Sequence, residues 1–180
     1  MTEEPQQHWD RVYSDKAPSE VSWFQSEPRP SLAALARFDV PHTTPFVDIG
    51  GGASNLVDGL LAGGWRDVTV VDIAAPALEA AQARLGGAAV GVHWEVGDIT
   101  RWNPRHRYGV WHDRAVFHFL TEPEQRDAYR RALLAGTAPD ALVIIANFAP
   151  DGPEKCSGLP VQRHDAASLA AALGSAFTLL

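Results

Sequence analysis

Sulfur is nearly absent from this chain of 180 residues, which has one cysteine, Cys156, and one methionine, Met1. A single thiol excludes an internal disulfide framework and fits a reducing compartment. It brings no second thiolate for a zinc site, and the histidines and acids show no strong ligand spacing, so no metal is expected. Long apolar runs are missing too: none approaches the length that spans a bilayer. Thr2 to Asp10 is polar and acidic, unlike a secretory leader. No membrane association and a cytoplasmic location are the expectations. Lysine is scarce, with 2 Lys against 13 Arg, and the formal net charge is −7. That balance excludes a broad nucleic-acid footprint. With no repeat, low-complexity tract or long linker, residues 1–180 read as one domain.

What the chain does have is alternation. Residues 1–44 read as a helical preamble, with Trp9, Val12 and Tyr13 at helical spacing and a second helix from Pro30 through Phe38. A proline-punctuated loop carrying Trp23 and Phe24 lies between them. From residue 45 a β/α core begins. Apolar strands are expected at 46–49, 67–71, 90–96, 108–112 and 141–147, alternating with helices at 55–62, 76–85, 122–134 and 166–173. That order calls for a doubly wound, mostly parallel, Rossmann-like α/β sheet with right-handed crossovers. Ala176 to Leu180 reads as the opening of a further strand.

The most informative stretch is Phe46-Val47-Asp48-Ile49-Gly50-Gly51-Gly52-Ala53-Ser54, a strand running into an acid and then three glycines. Glycines at a strand-to-helix turn let the backbone approach a ligand closely. An acid just before them repels a pyrophosphate and suits a cation, which points to S-adenosylmethionine with its ammonium and sulfonium. Ligands in such sheets sit beyond the carboxyl ends of the strands. There stand Asp72 with Ile73 after the second strand, placed for ribose hydroxyls, and Asp98 with Ile99 after the third, placed for adenine. His112-Asp113-Arg114 ends the fourth strand.

In this order the motifs resemble those of class I S-adenosylmethionine-dependent methyltransferases over residues 46 to about 148. The resemblance implies that Asp48, Gly50, Gly51, Gly52 and Ser54 form the glycine-rich cofactor turn, with Ser54 in place of a third spaced glycine. It implies Asp72 at the ribose and Asp98 at adenine, with Ile99 flanking the ring. S-adenosylmethionine would be the cofactor and S-adenosylhomocysteine the product. The blocks Trp9 to Tyr13, Glu20 to Phe24, Trp111 to Leu120 and Phe148 to Pro160 resemble a small bacterial subgroup, similar in its N-terminal helix to the eukaryotic methyltransferase-like lysine methyltransferases. The family closes its sheet with an antiparallel hairpin after the last helix, so a truncated or short form is expected here. Such a form would leave a sheet edge through which a dimer is possible.

Methyl transfer from a sulfonium needs alignment and exclusion of water more than acid catalysis, and a base only for a protonated acceptor. His112, Asp113, Arg114 and His118 are the candidate catalytic residues, with Arg114 available to a substrate carboxylate or to Asp113. Trp9, Tyr13, Trp23 and Phe24 are expected to form an aromatic lid over the cofactor, and the 151–160 loop to border the substrate pocket. The acceptor would be a small molecule or a protein side chain. Two other readings stay open: a protein that holds the cofactor without turnover, and a nicotinamide-dependent oxidoreductase.

Overall fold

The structure, a computed structural model, describes residues 4–180. Its centre is a parallel sheet of five strands: β1 (Phe46–Ile49), β2 (Val68–Asp72), β3 (Val92–Val96), β4 (Tyr108–Arg114) and β5 (Thr137–Ala146), in the spatial order β3-β2-β1-β4-β5. β1 and β2 are buried along their whole length, as strands covered on both faces are, and apart from Asp48, Thr69 and Asp72 they are apolar. The helices are α1 (Pro5–Asp15), α2 (Arg29–Leu35), α3 (Leu56–Ala62), α4 (Ala75–Leu85), α5 (Pro123–Gly136) and α6 (Ala166–Leu173). α1, α2, α4 and α5 each carry proline in the first turn, where its missing N–H costs nothing.

Two apolar layers flank the sheet. One gathers Phe46, Leu56, Leu60, Trp65, Val70, Leu78 and Val110; the other gathers Val47, Ile49, Tyr108, Trp111, Phe117, Tyr129 and Leu133. Between β1 and β4 the strand order reverses, so the crevice over their carboxyl ends is where this architecture receives a ligand.

The structure amends several expected elements. β4 continues through Asp113 and Arg114, because both remain paired with β5. β5 begins at Thr137 rather than at 141, with a register shift near Tyr108 and Val110; Asp140, at φ 60°, lies within the irregular part. The 151–160 loop contains a small antiparallel hairpin, β6 (Lys155–Cys156) and β7 (Leu159–Pro160). Its two-residue turn has Ser157 and Gly158 both at positive φ, the geometry that matches strand twist in tight hairpins. Residues 176–180 form no strand; Phe177 instead packs against the α5-side core.

Candidate functional site

A cavity of about 570 Å³ opens over the carboxyl ends of the central strands. Its floor is the glycine turn. Gly50 has φ +66°, and a side chain there would collide with Val116. At Gly51 an added methyl would come within 2.6 Å of Asp48 Oδ2 and Val70 Cγ1, and at Gly52 within 2.7 Å of Asp72 Oδ2. The turn therefore has no room for side chains on its inner face. Ser54 closes it by accepting the Leu56 N–H at 3.1 Å, at the entry to α3.

Asp72 ends β2 and lines the cavity, although only 6% of its surface is exposed. Its Oδ1 accepts the Ala74 N–H at 2.8 Å, and no cation is paired with it among the described residues. Burial is the main reason its carboxyl is raised to about 7; backbone N–H groups offset part of that, and the charges of Asp48 and Asp10 add to it. Ile73 lies beside it on the cavity wall. Asp98 follows β3, with Oδ1 held by the Thr100 N–H and hydroxyl, both at 2.8 Å; Asp98, Ile99 and Thr100 all line the cavity.

The preamble supplies an aromatic wall. Trp9 meets Trp23 edge-on at 5.7 Å and Phe119 at 5.1 Å between ring centroids, and Trp23 Nε1 donates to the Tyr13 hydroxyl at 3.3 Å. All four rings line the cavity. Tyr13 is pushed up to about 12, first by burial and then by the charge of Asp72, so it stays a neutral phenol. Cys156, Leu159 and Pro160 of the hairpin complete the far side.

The four candidate catalytic residues separate. Arg114 lines the cavity, its Nη2 donating to the Trp23 carbonyl at 3.3 Å. The other three do not line it. His112 is 2% exposed and sits between Asp48 Oδ1, 2.7 Å from Nδ1, and Ser31 Oγ, 2.9 Å from Nε2. The residue that alternates with it, Asp113, faces the opposite side of the sheet. There it accepts the Val116 N–H at 2.8 Å and the Phe117 N–H at 3.2 Å, and burial raises it to about 6. It holds the turn after β4 rather than facing an acceptor. His118 is fully buried between Phe119 and Phe148, and burial lowers it to about 4, so it is a neutral packed ring.

Asp48 also differs from its expected place. Its carboxylate lies beneath Gly51 and turns to His112, outside the cavity wall; its charge reaches the ligand space only as a field, felt at Asp72. Sequence reasoning missed Ser31 as the third member of that chain, since a contact across 81 positions leaves no local trace. Phe119 was missed as part of the aromatic wall, although its place just after the β4 turn is a signal that could have found it.

The methyltransferase-domain family pattern matches residues 46–135, from β1 to the end of α5. The chain belongs to that family. Its parallel sheet and glycine turn are those of class I S-adenosylmethionine-dependent methyltransferases, and with that membership the nicotinamide reading falls away. Among solved structures, one described as converting a disulfide bond into a thioacetal group in echinomycin biosynthesis is 20% identical with a TM-score of 0.74. It covers 95% of this chain and 78% of its own. The glycopeptide N-methyltransferase MtfA with (S)-adenosyl-L-methionine is 16% identical, with a TM-score of 0.60 and coverage of 73% and 58%. The CcbJ methyltransferase from Streptomyces caelestis is 19% identical, with a TM-score of 0.60 and coverage of 78% and 56%. The chain thus spans little more than half the length of MtfA and CcbJ. At these identities the likeness speaks for the fold. No curated protein matches the chain. Among the described residues, no helix is long and apolar enough to cross a membrane, and no cluster of three or more histidines, cysteines or acids could hold a metal.

The residues present fit S-adenosylmethionine. Asp72 is a buried carboxylate short of donors, as a ribose diol requires of its partner. Asp98 and Ile99 line the same cavity as Asp72, and Gly50 and Gly51 put no side chain between the cavity and the backbone of the turn.

Proposed function

We propose that this methyltransferase acts on a small molecule whose nucleophilic atom arrives with a free lone pair: a thiolate, a thioether or an un-ionised amine. The observation that carries this reading is where the bases are. His112, Asp113 and His118 are all buried away from the cavity, so the acceptor side has no imidazole. Apart from Asp72 and Asp98, which this reading gives to the cofactor, the ionisable groups of the lining are Arg114, the exposed Glu4 and Glu122, and the Tyr13 phenol and Cys156 thiol, both raised by burial. None is suited to deprotonating an alcohol or an ammonium near neutral pH.

S-adenosylmethionine, when bound, supplies an electrophilic methyl carbon, and the thioether it leaves needs no proton. The work left to the chain is positioning. Asp72 and Asp98 would hold the adenosine, and Gly50 to Ser54 would let the methionyl end lie against the backbone. Trp9, Tyr13, Trp23 and Phe119 would keep water from the transfer and offer ring faces to positive charge. Holding two reactants in line is worth roughly 7–11 kcal/mol of barrier, enough for a methyltransferase without a general base. A cavity of about 570 Å³ is within the range of small-molecule pockets, roughly 300–1,000 Å³. A space of that size, shared with the cofactor, suits a small acceptor. The solved relative that converts a disulfide to a thioacetal places sulfur chemistry on this fold.

The test is S-adenosylhomocysteine formation from a panel of thiols, thioethers, aromatic amines and alcohols. Turnover is expected with sulfur or amine acceptors, with a pH profile that follows the acceptor's own ionisation. Turnover confined to alcohols, or one bell-shaped profile kept across all acceptors, would show that the chain carries a base. Tight cofactor binding with no turnover at all would favour a protein that holds the cofactor without using it.

A further inference from the structure

Arg114 is the feature of the cavity that cofactor binding leaves unexplained. It is the one Lys, Arg or His on the cavity wall among the described residues, facing a lining that includes Asp72, Asp98 and Glu122. It is half-buried at the end of β4, on the strand beside the glycine turn and on the opposite side of that turn from Asp72 and Asp98. Its recorded bond is from Nη2 to the Trp23 carbonyl at 3.3 Å. No carboxylate of the described residues lies within ion-pair distance of it. Its neighbour Asp113, the obvious partner, is turned to the other face of the sheet and occupied by the N–H groups of Val116 and Phe117. The Trp23 carbonyl lies against it and its charge is felt at Tyr13, and the cavity lining it shares is rich in apolar groups: Trp23 and Phe24 from the preamble, Val116 and Phe119 after β4, and Leu159 from the hairpin.

A guanidinium carries five donors in a planar fork that fits a carboxylate with two parallel bonds. Partly removed from water and without an anion, it keeps donors for a ligand group that enters the cavity. The positions of the other polar groups say which ligand. Asp72 and Asp98 lie over β2 and β3 and suit the adenosine; the glycine turn over β1 suits the methionyl chain. Arg114 lies one strand further along, about 5 Å across a sheet, on the side walled by Trp23 and the hairpin.

We propose that Arg114 anchors a carboxylate of the methyl acceptor, so that the substrate class is an apolar or aromatic small molecule bearing a carboxylate. This rests on the methyltransferase reading above and names its substrate more closely. The fork fixes one end of the acceptor while Trp23, Phe24 and Phe119 hold its apolar body, and two fixed ends give the alignment that substitutes for a base.

The experiment has two arms on the full chain. In the first, calorimetry measures S-adenosylhomocysteine and 5′-methylthioadenosine, which lacks the amino-acid end, against the wild type and Arg114→Gln. Both nucleosides are expected to bind the variant within about threefold of the wild type, which also shows that it folds. A loss of tenfold or more for S-adenosylhomocysteine, with methylthioadenosine unchanged, would assign Arg114 to the cofactor's own carboxylate and overturn the proposal. In the second arm, the chain saturated with S-adenosylhomocysteine is titrated with arylalkyl carboxylates from phenylacetate to indole-3-butyrate, each beside its primary amide. At least one carboxylate is expected to bind tenfold or more tighter than its amide. Arg114→Gln should erase that preference, and Arg114→Lys, which keeps the charge without the fork, should restore only part of it. No preference for any carboxylate in the wild type, or a preference that survives Arg114→Gln, overturns the proposal. Failure of the wild type to bind S-adenosylhomocysteine at all would instead sink the methyltransferase reading beneath it.

Discussion

Burial lifts the Asp72 carboxyl to about 7 because backbone N–H groups only partly replace the water it has lost. Two ribose hydroxyls would supply the missing donors, and the ligand's ammonium would favour the ionised form further. Cofactor binding should then expel a proton from Asp72. The sign follows directly: below about 7 the free chain carries a neutral Asp72 that must ionise at a cost before it binds. With a free value of about 7 and the carboxylate ionised throughout this range once bound, affinity for S-adenosylhomocysteine should fall about tenfold between pH 8 and pH 6. Calorimetry in buffers of different ionisation enthalpy would show the released proton. Asp72→Asn should bind at least tenfold more weakly at pH 8 and with no slope from pH 6 to 8. A wild-type affinity that is flat across that range would remove Asp72 from the ribose site.

Between elements, the chain Asp48–His112–Ser31 joins three pieces of the fold: β1, β4 and α2. Its first member lies beneath the glycine turn, so the posture of the turn and the seating of the preamble share one set of hydrogen bonds. All three side chains are buried, and an orphaned buried partner costs roughly 1–3 kcal/mol. Ser31→Ala, which strips His112 Nε2 of its partner, is expected to lower stability to urea by about that amount with the same dependence on denaturant. Unchanged stability would mean that water replaces the hydroxyl and that α2 is held by its apolar face alone. This element scale is also where the sequence could be read and where it could not. β1 and α6 sit where their patterns put them, because an apolar strand before glycines, and an Ala/Leu helix from Asp165 to Gly174, are local signals. His112 and Asp113 are adjacent in the chain, yet strand alternation sends them to opposite faces, and reading both toward the ligand ignored that period. The β6–β7 hairpin was announced by Ser157-Gly158 but is too short to show a pattern of its own. Ser31 could be recognised only once α2 had been laid against β4.

Across the whole molecule, polar atoms are distributed unevenly between the sheet's two ends and its interior. The open end carries Asp72, Asp98 and Arg114, each with bonding capacity left for a ligand. Inside lie groups whose ordinary charge burial suppresses. His118 and His164 are buried imidazoles whose ring nitrogens have no hydrogen-bond partner among the described residues, and both are lowered by burial. Asp72 and Asp113 are raised by the same cause. The two pairs act oppositely on stability. A raised acid holds its proton in the folded state after the unfolded chain has released it, so its contribution is lost as pH rises from about 4 toward its folded pKa. A lowered histidine is neutral when the unfolded chain has already taken a proton, so its contribution is lost as pH falls from about 6.5 toward its folded pKa. For His118, with a folded pKa of about 4, the loss should amount to about 2 kcal/mol at pH 5 and almost nothing at pH 7.5. His118→Phe removes this titration while keeping a ring between Phe119 and Phe148. Any change in packing it causes is shared by both pH values and cancels when they are compared. Urea unfolding of both proteins should therefore show the variant gaining about 2 kcal/mol on the wild type in going from pH 7.5 to pH 5. Equal differences at the two pH values would mean that His118 takes up its proton in the folded chain, through water or movement of the 117–119 turn.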